Sequence, residues 1–414
     1  MSAVPFNLTH SPEKDWRFYI LLLNGIFIST LELAPFALLL MTLICIYYVV
    51  KQKDKTELPE WSNWKKALLV TIPFILACMG MVNTSNIPKA LEDISRLLPF
   101  LQFPFLFLSI PYQKRVKWQE PFIWSIIIGV LLKTDFYLLK AIYRFVETAN
   151  IRHFYYINLA KETNSLSFFI LVSFLFFSLK FRQNNQRKQK WILGVLIILN
   201  LIVVLLLLQS RIIIIVFLLT TLILFFLNLK NKSSILLAGS FVISLFFLGV
   251  SPSFNARFQR IEPINNQKAE IVSASEKSSD KLNKCNSTEL RINASKASLE
   301  VIKTKLIFGV GTGDWNDELV LKYKELNMSC NFVERTAPHN QFLRITLKHG
   351  IIGLLIFIGF LFLFFLHSWR IREMYAISFS IACSLCLVAY DFVDIGSSAP
   401  FLALIFSWFI IKKE

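Results

Sequence analysis

Pro338-His339-Asn340 is followed by nine residues and then Gly350-Ile351-Ile352-Gly353, and this stretch holds the chain's best candidate for proton chemistry. Imidazole is the side chain suited to taking a proton at neutral pH. Asn340 stands where a helix begins and can act near its cap. Phe342, Leu343, Ile345 and Leu347 are interspersed with Arg344 and Lys348, so the first turns read as interfacial before a deep apolar run starts at Gly350. Gly350 and Gly353 are expected to share a face and permit close helix contact. Alone, a histidine at a helix start is usually structural; its surroundings decide.

Arginines supply the complementary chemistry. Arg211 stands in Gln209-Ser210-Arg211, between the apolar runs Leu201 to Leu208 and Ile212 to Leu219. An arginine at membrane depth costs several kcal/mol unless it finds water or an anion, which makes it a functional candidate by default. The bland alternative is a snorkelling arginine in a tight hairpin. Arg291 lies in Ser287 to Lys305, whose apolar and small residues fall at Leu290, Ala294, Ala297, Leu299, Val301 and Ile302. That pattern predicts an amphipathic helix lying on the membrane surface. Two guanidinium groups facing one cavity would suit a pyrophosphate, since each fork can grip phosphate oxygens bidentately. Arg257 and Arg260 are equally available basic residues, and Arg344 is a further candidate for substrate binding. In Phe308-Gly309-Val310-Gly311-Thr312-Gly313 the alternating glycines would let backbone amides approach an anion, but the spacing is not a dinucleotide fingerprint. A tight, packed turn is the safer expectation. Glu262, Glu289, Asp314, Asp317 and Glu318 are scattered, so the sequence requires no metal and no cofactor.

The elements that must position these residues are membrane helices. Of 414 residues, 55% are hydrophobic and only 17% charged, against about a quarter charged in soluble domains. Forty Phe beside 13 Gly and 14 Pro favour long lipid-facing helices over a loop-rich fold. The formal charge of +17 is not a nucleic-acid signal, because most basic residues sit in short loops between apolar runs. A spanning helix needs about 20 mostly apolar residues. Runs of that kind fall at 17–31, 34–50, 66–83, 93–111, 121–139, 165–181, 191–208, 211–229, 234–250, 341–367, 374–391 and 400–411. The start, Met1 to Trp16, shows no cleavable signal peptide.

Alternate short loops are rich in Lys and Arg, among them Lys51 to Lys65, Lys114 to Lys117, Lys180 to Lys190, Arg370 and Lys412. The positive-inside rule makes those loops cytoplasmic, with both termini. The segment Ser251 to Pro338 is then outside, and it is too long for a connector. The chain divides into helices 1–9 over residues 1–250, a large outer loop over 251–338, and helices 10–12 over 339–414. Cys285 and Cys330 are the two cysteines of that loop, and an oxidising compartment would allow a disulfide between them or leave them a chance pair. Lys133, Asp135, Asp391 and Asp394 are further polar residues near the outer face, which line a cavity or pair locally.

At this point the chain resembles the O-antigen ligase family of polytopic glycosyltransferases. His339, Asn340, Gly350 and Gly353 match its motif H-[N/S/Q]-x9-G-x-x-[G/T/Y] position by position. Arg211 is similar to the family's arginine at an outer helix end, and Arg291 looks like its loop arginine. The resemblance implies an all-α, GT-C-like protein of about twelve transmembrane helices, multi-pass in the bacterial inner membrane, with its large loop periplasmic. It implies a metal-independent, inverting transfer of O-antigen or a similar polysaccharide from undecaprenyl pyrophosphate to lipid A-core. His339 would orient or deprotonate the acceptor hydroxyl, and Arg211 and Arg291 would hold the diphosphate.

A polysaccharide polymerase of the same superfamily could use the same residues, as could a protein glycosyltransferase. A lipid-linked sugar transporter would instead distribute charge around a midplane cavity. Here the deep spans are nearly charge-free and the polar residues crowd one rim.

Overall fold

The computed structural model describes residues 16–30, 43, 64–108, 110, 112–154, 159–160, 162–181, 188–227, 233–250 and 287–410. Regular structure among them is all helical, with no strand. In chain order the α-helices are α1 (Trp16–Ser29), α2 (Trp64–Val70), α3 (Ile72–Met79), α4 (Ile87–Leu97), α5 (Pro99–Leu108) and α6 (Tyr112–Thr148). There follow α7 (Thr163–Phe181), α8 (Lys188–Leu207), α9 (Arg211–Leu227) and α10 (Ser233–Val250). The remainder are α11 (Ser287–Thr304), α12 (Trp315–Glu325), α13 (Ser329–Glu334), α14 (Gln341–Arg370), α15 (Met374–Leu387) and α16 (Ala399–Ile410). Every apolar run of the sequence coincides with helix except 34–50, which lies outside the described residues apart from Leu43. Among the described residues, 113–148 and 341–370 are long and apolar enough to cross a membrane, and seven shorter apolar helices accompany them.

One apolar core joins the membrane-type helices. α16 is buried on every side, as a helix apolar all round must be. Its Trp408 packs against Phe107 of α5 and Phe122 of α6, at centroid distances of 5.3 Å and 4.4 Å. α1 lies so close along α6 that a Cβ at Gly129 would stand 2.7 Å from the Ile26 carbonyl oxygen. With 37 residues α6 is about 55 Å long, more than the ~30 Å hydrocarbon thickness requires.

The run at 93–111 divides differently from expectation. α4 is amphipathic and buries Asp93 among polar partners, and the apolar segment is α5, beginning at Pro99. Asn86 caps α4 by accepting from the Lys89 amide, and Pro88 fits its first turn, where no amide hydrogen is needed.

A second, smaller core holds the described part of the large loop. Ala294, Ala297, Val301 and Ile302 of α11 meet Trp315, Leu319 and Tyr323 of α12, with Val310 and Leu347. This corrects the expectation that α11 lies with its apolar face on the membrane, because that face is covered by α12 and Leu347. The Tyr323 hydroxyl donates to the Thr336 carbonyl at 2.6 Å, and burial pushes its pKa up. Asn331 donates to the Leu290 carbonyl at 2.7 Å, tying α13 to α11.

The loop core joins the membrane core at a break in α14. Gly350 has φ 66° and ψ −166°, a region open in practice only to glycine, so α14 is two helices meeting at a kink. Gly350 and Gly353 therefore do not form one shared helix face. A Cβ on Gly350 would stand 2.1 Å from the Ile307 carbonyl oxygen, whereas Gly353 packs under the side chain of His349. The backbone groups freed by the kink bond across to the glycine-rich turn. Val310 donates to the Leu347 carbonyl at 2.9 Å, Gly311 to Lys348 at 3.0 Å, and Ile351 to Leu306 at 2.8 Å. Gly309-Val310-Gly311 is thus a packed turn whose amides are occupied by protein. Gly350→Ala is expected to lose at least ~1–3 kcal/mol from backbone strain alone, and more from the clash. Thermal unfolding of the purified variant in detergent measures it; an unchanged midpoint would contradict the kink.

Candidate functional site

The site gathers on the turn between α15 and α16, residues 388–398. That turn is pinned by aromatic stacking, with Tyr390 on Phe392 at 5.0 Å and Phe392 on Phe168 of α7 at 4.9 Å. The Ser398 hydroxyl donates to the Phe392 carbonyl at 2.7 Å. Its Tyr390 reaches α11 and the α8 to α9 turn, and its Asp391 and Asp394 reach His339 and the first turns of α14.

Tyr390 reaches both arginine-bearing elements. The guanidinium of Arg291, on α11, lies 5.3 Å from the centre of its ring. Its hydroxyl stands 3.1 Å from the Ser210 hydroxyl, and Ser210 donates to the Asn164 side chain at 3.2 Å. Since the single Ser210 proton goes to Asn164, Tyr390 is the donor to Ser210. Ser210 sits at the cap position of α9 yet gives its hydroxyl to these partners, and Arg211 is the first helical residue. A cation at that end opposes the helix dipole, so intrinsic helix stability does not explain Arg211. The turn from α8 to α9 is tight, with Gln209 at φ 50°.

Asp391 reaches the histidine. His339 follows Pro338, has a left-handed φ of 46°, and precedes Asn340, which caps α14 by accepting from the Leu343 amide at 3.0 Å. Positive φ in a non-glycine residue is uncommon and clusters at functional sites. His339 is 37% exposed in its side chain, and its Nδ1 faces Asp391 Oδ1 at 3.7 Å. That oxygen is buried and has no hydrogen-bond partner in the structure. The other oxygen of Asp391 pairs with Arg344.

Below this pair is a buried ionic cluster. Lys348, 1% exposed, pairs with Asp394 at 2.5 Å and with Asp93 of α4 at 3.0 Å. Asp93 also accepts from the Trp315 indole at 3.1 Å and faces Arg96 at 3.3 Å. Gln341 donates to Asp394 at 2.6 Å and accepts from the Val393 amide at 3.0 Å. Arg344 lies over the Trp315 ring at 4.2 Å and faces Asp394 at 3.7 Å. Burial alone would raise the Asp394 carboxyl, but Lys348 and Arg344, with the hydrogen bonds from Lys348 and Gln341, hold it down at about 2.

The structure thus brings His339, Arg291 and the Arg211 turn to one segment, and puts Asn340 at a helix cap. Arg344, expected at a substrate surface, is buried with its guanidinium committed to Asp391, Asp394 and Trp315. Arg257, Arg260 and Cys285 lie outside the described residues. Cys330 is in a disulfide, whereas Cys78, Cys383 and Cys386 are free. Asp135 accepts from Asn200 at 2.7 Å, and Lys133 lies 4.8 Å from the Tyr137 ring, both within the helices. Tyr390, Asp93, Trp315 and Ser210 were not among the candidates. Tyr390 abuts Asp391, which the sequence did single out, and that adjacency was the available signal.

Among the described residues the chain is all helical, and its long apolar helices suggest a helical membrane protein. Residues 195–358 match the family model for O-antigen ligase, which supports the likeness to that family. The matched region includes Arg211, Arg291, His339, Asn340, Gly350 and Gly353 and ends before Tyr390. The family supports a function of the O-antigen ligase or polymerase type and a glycosyltransferase-like enzyme with a lipid-linked glycan donor. No curated protein matches the chain.

Proposed function

We propose that this protein is an O-antigen ligase, transferring O-antigen or a similar polysaccharide from undecaprenyl pyrophosphate to a hydroxyl of lipid A-core. It would work as a twelve-span protein of the bacterial inner membrane, with residues 251–338 periplasmic. The observation that carries the reading is the convergence on 390–394 of His339, Arg291 and the turn bearing Arg211, three parts of the chain remote in sequence.

In this mechanism Nδ1 of His339 is turned to Asp391, which leaves Nε2 for the acceptor hydroxyl. As the hydroxyl oxygen bonds to the anomeric carbon, its proton passes to Nε2 and the carbon–oxygen bond to the pyrophosphate breaks. Attack from the face opposite the leaving group inverts the anomeric centre. Arg211 and Arg291 hold the departing diphosphate, whose charge grows in the transition state, so their contribution is electrostatic. Asp391 keeps the imidazole in the accepting tautomer and stabilises it once protonated. Arg344 acts by positioning Asp391 and Asp394. A diphosphate is a good enough leaving group for two arginines to suffice without a metal.

Deletion of the gene, with gel analysis of surface glycans, tests this directly. The expected result is lipid A-core without polymer, while polymer accumulates on the lipid carrier. Core bearing a single repeat would assign the chain as the polymerase, and an unchanged ladder would exclude both. Transfer by reconstituted protein is expected to persist in excess chelator; loss restored by a divalent ion would overturn the metal-independent step.

A further inference from the structure

The kink in α14 raises a question of solvent. Backbone that leaves the helix at membrane depth is tolerated only where its polar groups are bonded by protein. At Gly350 the segment 306–311 supplies those bonds, to Leu347, Lys348 and Ile351. That segment is therefore seated at the level of residue 351, where the apolar run of α14 begins. Its first three side chains face outward: Leu306 is 52%, Ile307 56% and Phe308 63% exposed. Three consecutive exposed apolar residues are costly in water, and here they are rigidly held. The Leu306 carbonyl accepts from the Ile351 amide, so they adjoin the start of the apolar run of α14, where Ile352 and Leu355 are exposed, and Met79 at the end of α3 is exposed as well. The turn after α3 is fastened to the same segment, since Thr312 donates through its amide to the Gly80 carbonyl at 3.1 Å and through its hydroxyl to that of Ala77 at 2.7 Å.

We propose that Leu306-Ile307-Phe308 is a wedge embedded among the acyl chains of the outer leaflet, anchoring the large loop to the bilayer beside the site. The occupant of this apolar surface is lipid, because it is bonded to the start of the apolar run of α14, a helix long and apolar enough to cross a membrane. Lys303, which pairs with Glu300, and Lys305 are exposed and immediately precede it in sequence, where anionic headgroups would meet Lys305. The wedge also sets the depth of the site. Arg344 and Lys348 lie on the segment of α14 before the kink, on the loop side of the wedge, so the ionic cluster is placed towards the headgroups beside a lipid-borne diphosphate. This inference rests on the membrane reading proposed above.

The test is photocrosslinking of the full chain, reconstituted in vesicles of phosphatidylethanolamine and phosphatidylglycerol, with benzoylphenylalanine placed at single positions. Position 308 is expected to yield lipid adducts by mass spectrometry at a level within about twofold of position 362, an exposed site deep on α14. Position 325, at the end of α12, is expected to yield none. Lipid adducts at 362 but not at 308 would overturn the wedge and leave the membrane reading intact. Absence of adducts at 362 as well would overturn both. Position 307 serves in the same way if the variant at 308 does not assemble.

Discussion

His339→Ala is expected to abolish glycan transfer, with a fall of about 10²–10⁴-fold in turnover, while the protein accumulates in the membrane at its ordinary level. The size follows from the role: a positioned base contributes in the transition state, so the loss falls on kcat and kcat/KM together rather than on KM alone. The side chain is 37% exposed, so its removal is expected to leave the fold intact. Asp391→Asn removes the charge that faces His339 and also one that pairs with buried Arg344, so its turnover is compared at equal amounts of folded protein. The amide retains the shape of the carboxylate but cannot stabilise a protonated imidazole, so turnover is expected to fall as well, by less than in His339→Ala, with the pH profile of kcat altered. The double variant is expected to be no worse than His339→Ala, since residues acting as a unit are not additive. A His339→Ala protein that transfers at the parental rate, assayed with reconstituted lipid-linked donor, would remove the histidine from the mechanism.

The apolar helices and the histidine motif were legible in the sequence because both are local. Hydropathy over about 20 residues reports a helix whatever its neighbours, and Pro338-His339-Asn340 prescribes a turn and a cap within three residues. The arginine at the α8 to α9 turn stood out for the same reason, as a charge flanked by apolar runs on both sides. What the sequence could not give was which polar residues meet. Asp93 read as the beginning of a span, because nothing within its own segment announces Lys348 and Trp315, more than 200 positions away. Lys348 and Arg344 read as interfacial for the mirror-image reason: charge predicts water unless the opposite charge is known to be present. Gly350 was read for small size, whereas its positive φ carries the structural consequence, and φ depends on the turn at 306–311 that packs against it.

Removal of Lys348 is expected to have the largest effect on stability of any side-chain truncation in the site. In Lys348→Met, Asp93 and Asp394 lose a cation that both contact, in a place where Lys348 itself is 1% exposed. Breaking a buried pair from one side costs about 3–5 kcal/mol, because the remaining charge has lost its water and its partner together. Apolar replacement of both members of a pair is often neutral, so the loss belongs to the orphaned carboxylates and not to the missing attraction. Lys348→Met combined with Asp93→Asn therefore serves as the decisive comparison. It removes one charge of each sign, keeps an acceptor for the Trp315 indole, and leaves Asp394 to Arg344 and Gln341, so it is expected to recover most of the lost stability. Thermal unfolding in detergent of the two single variants and the double variant gives the coupling; strict additivity would contradict the cluster as described. Acid reports the same linkage. The Asp394 carboxyl is held at about 2 against an ordinary 3.8, so its contribution to stability is complete above 3.8 and disappears as the pH falls through 2. In the Lys348→Met protein that acid-sensitive increment is expected to shrink, since the cation chiefly responsible for holding Asp394 down is gone.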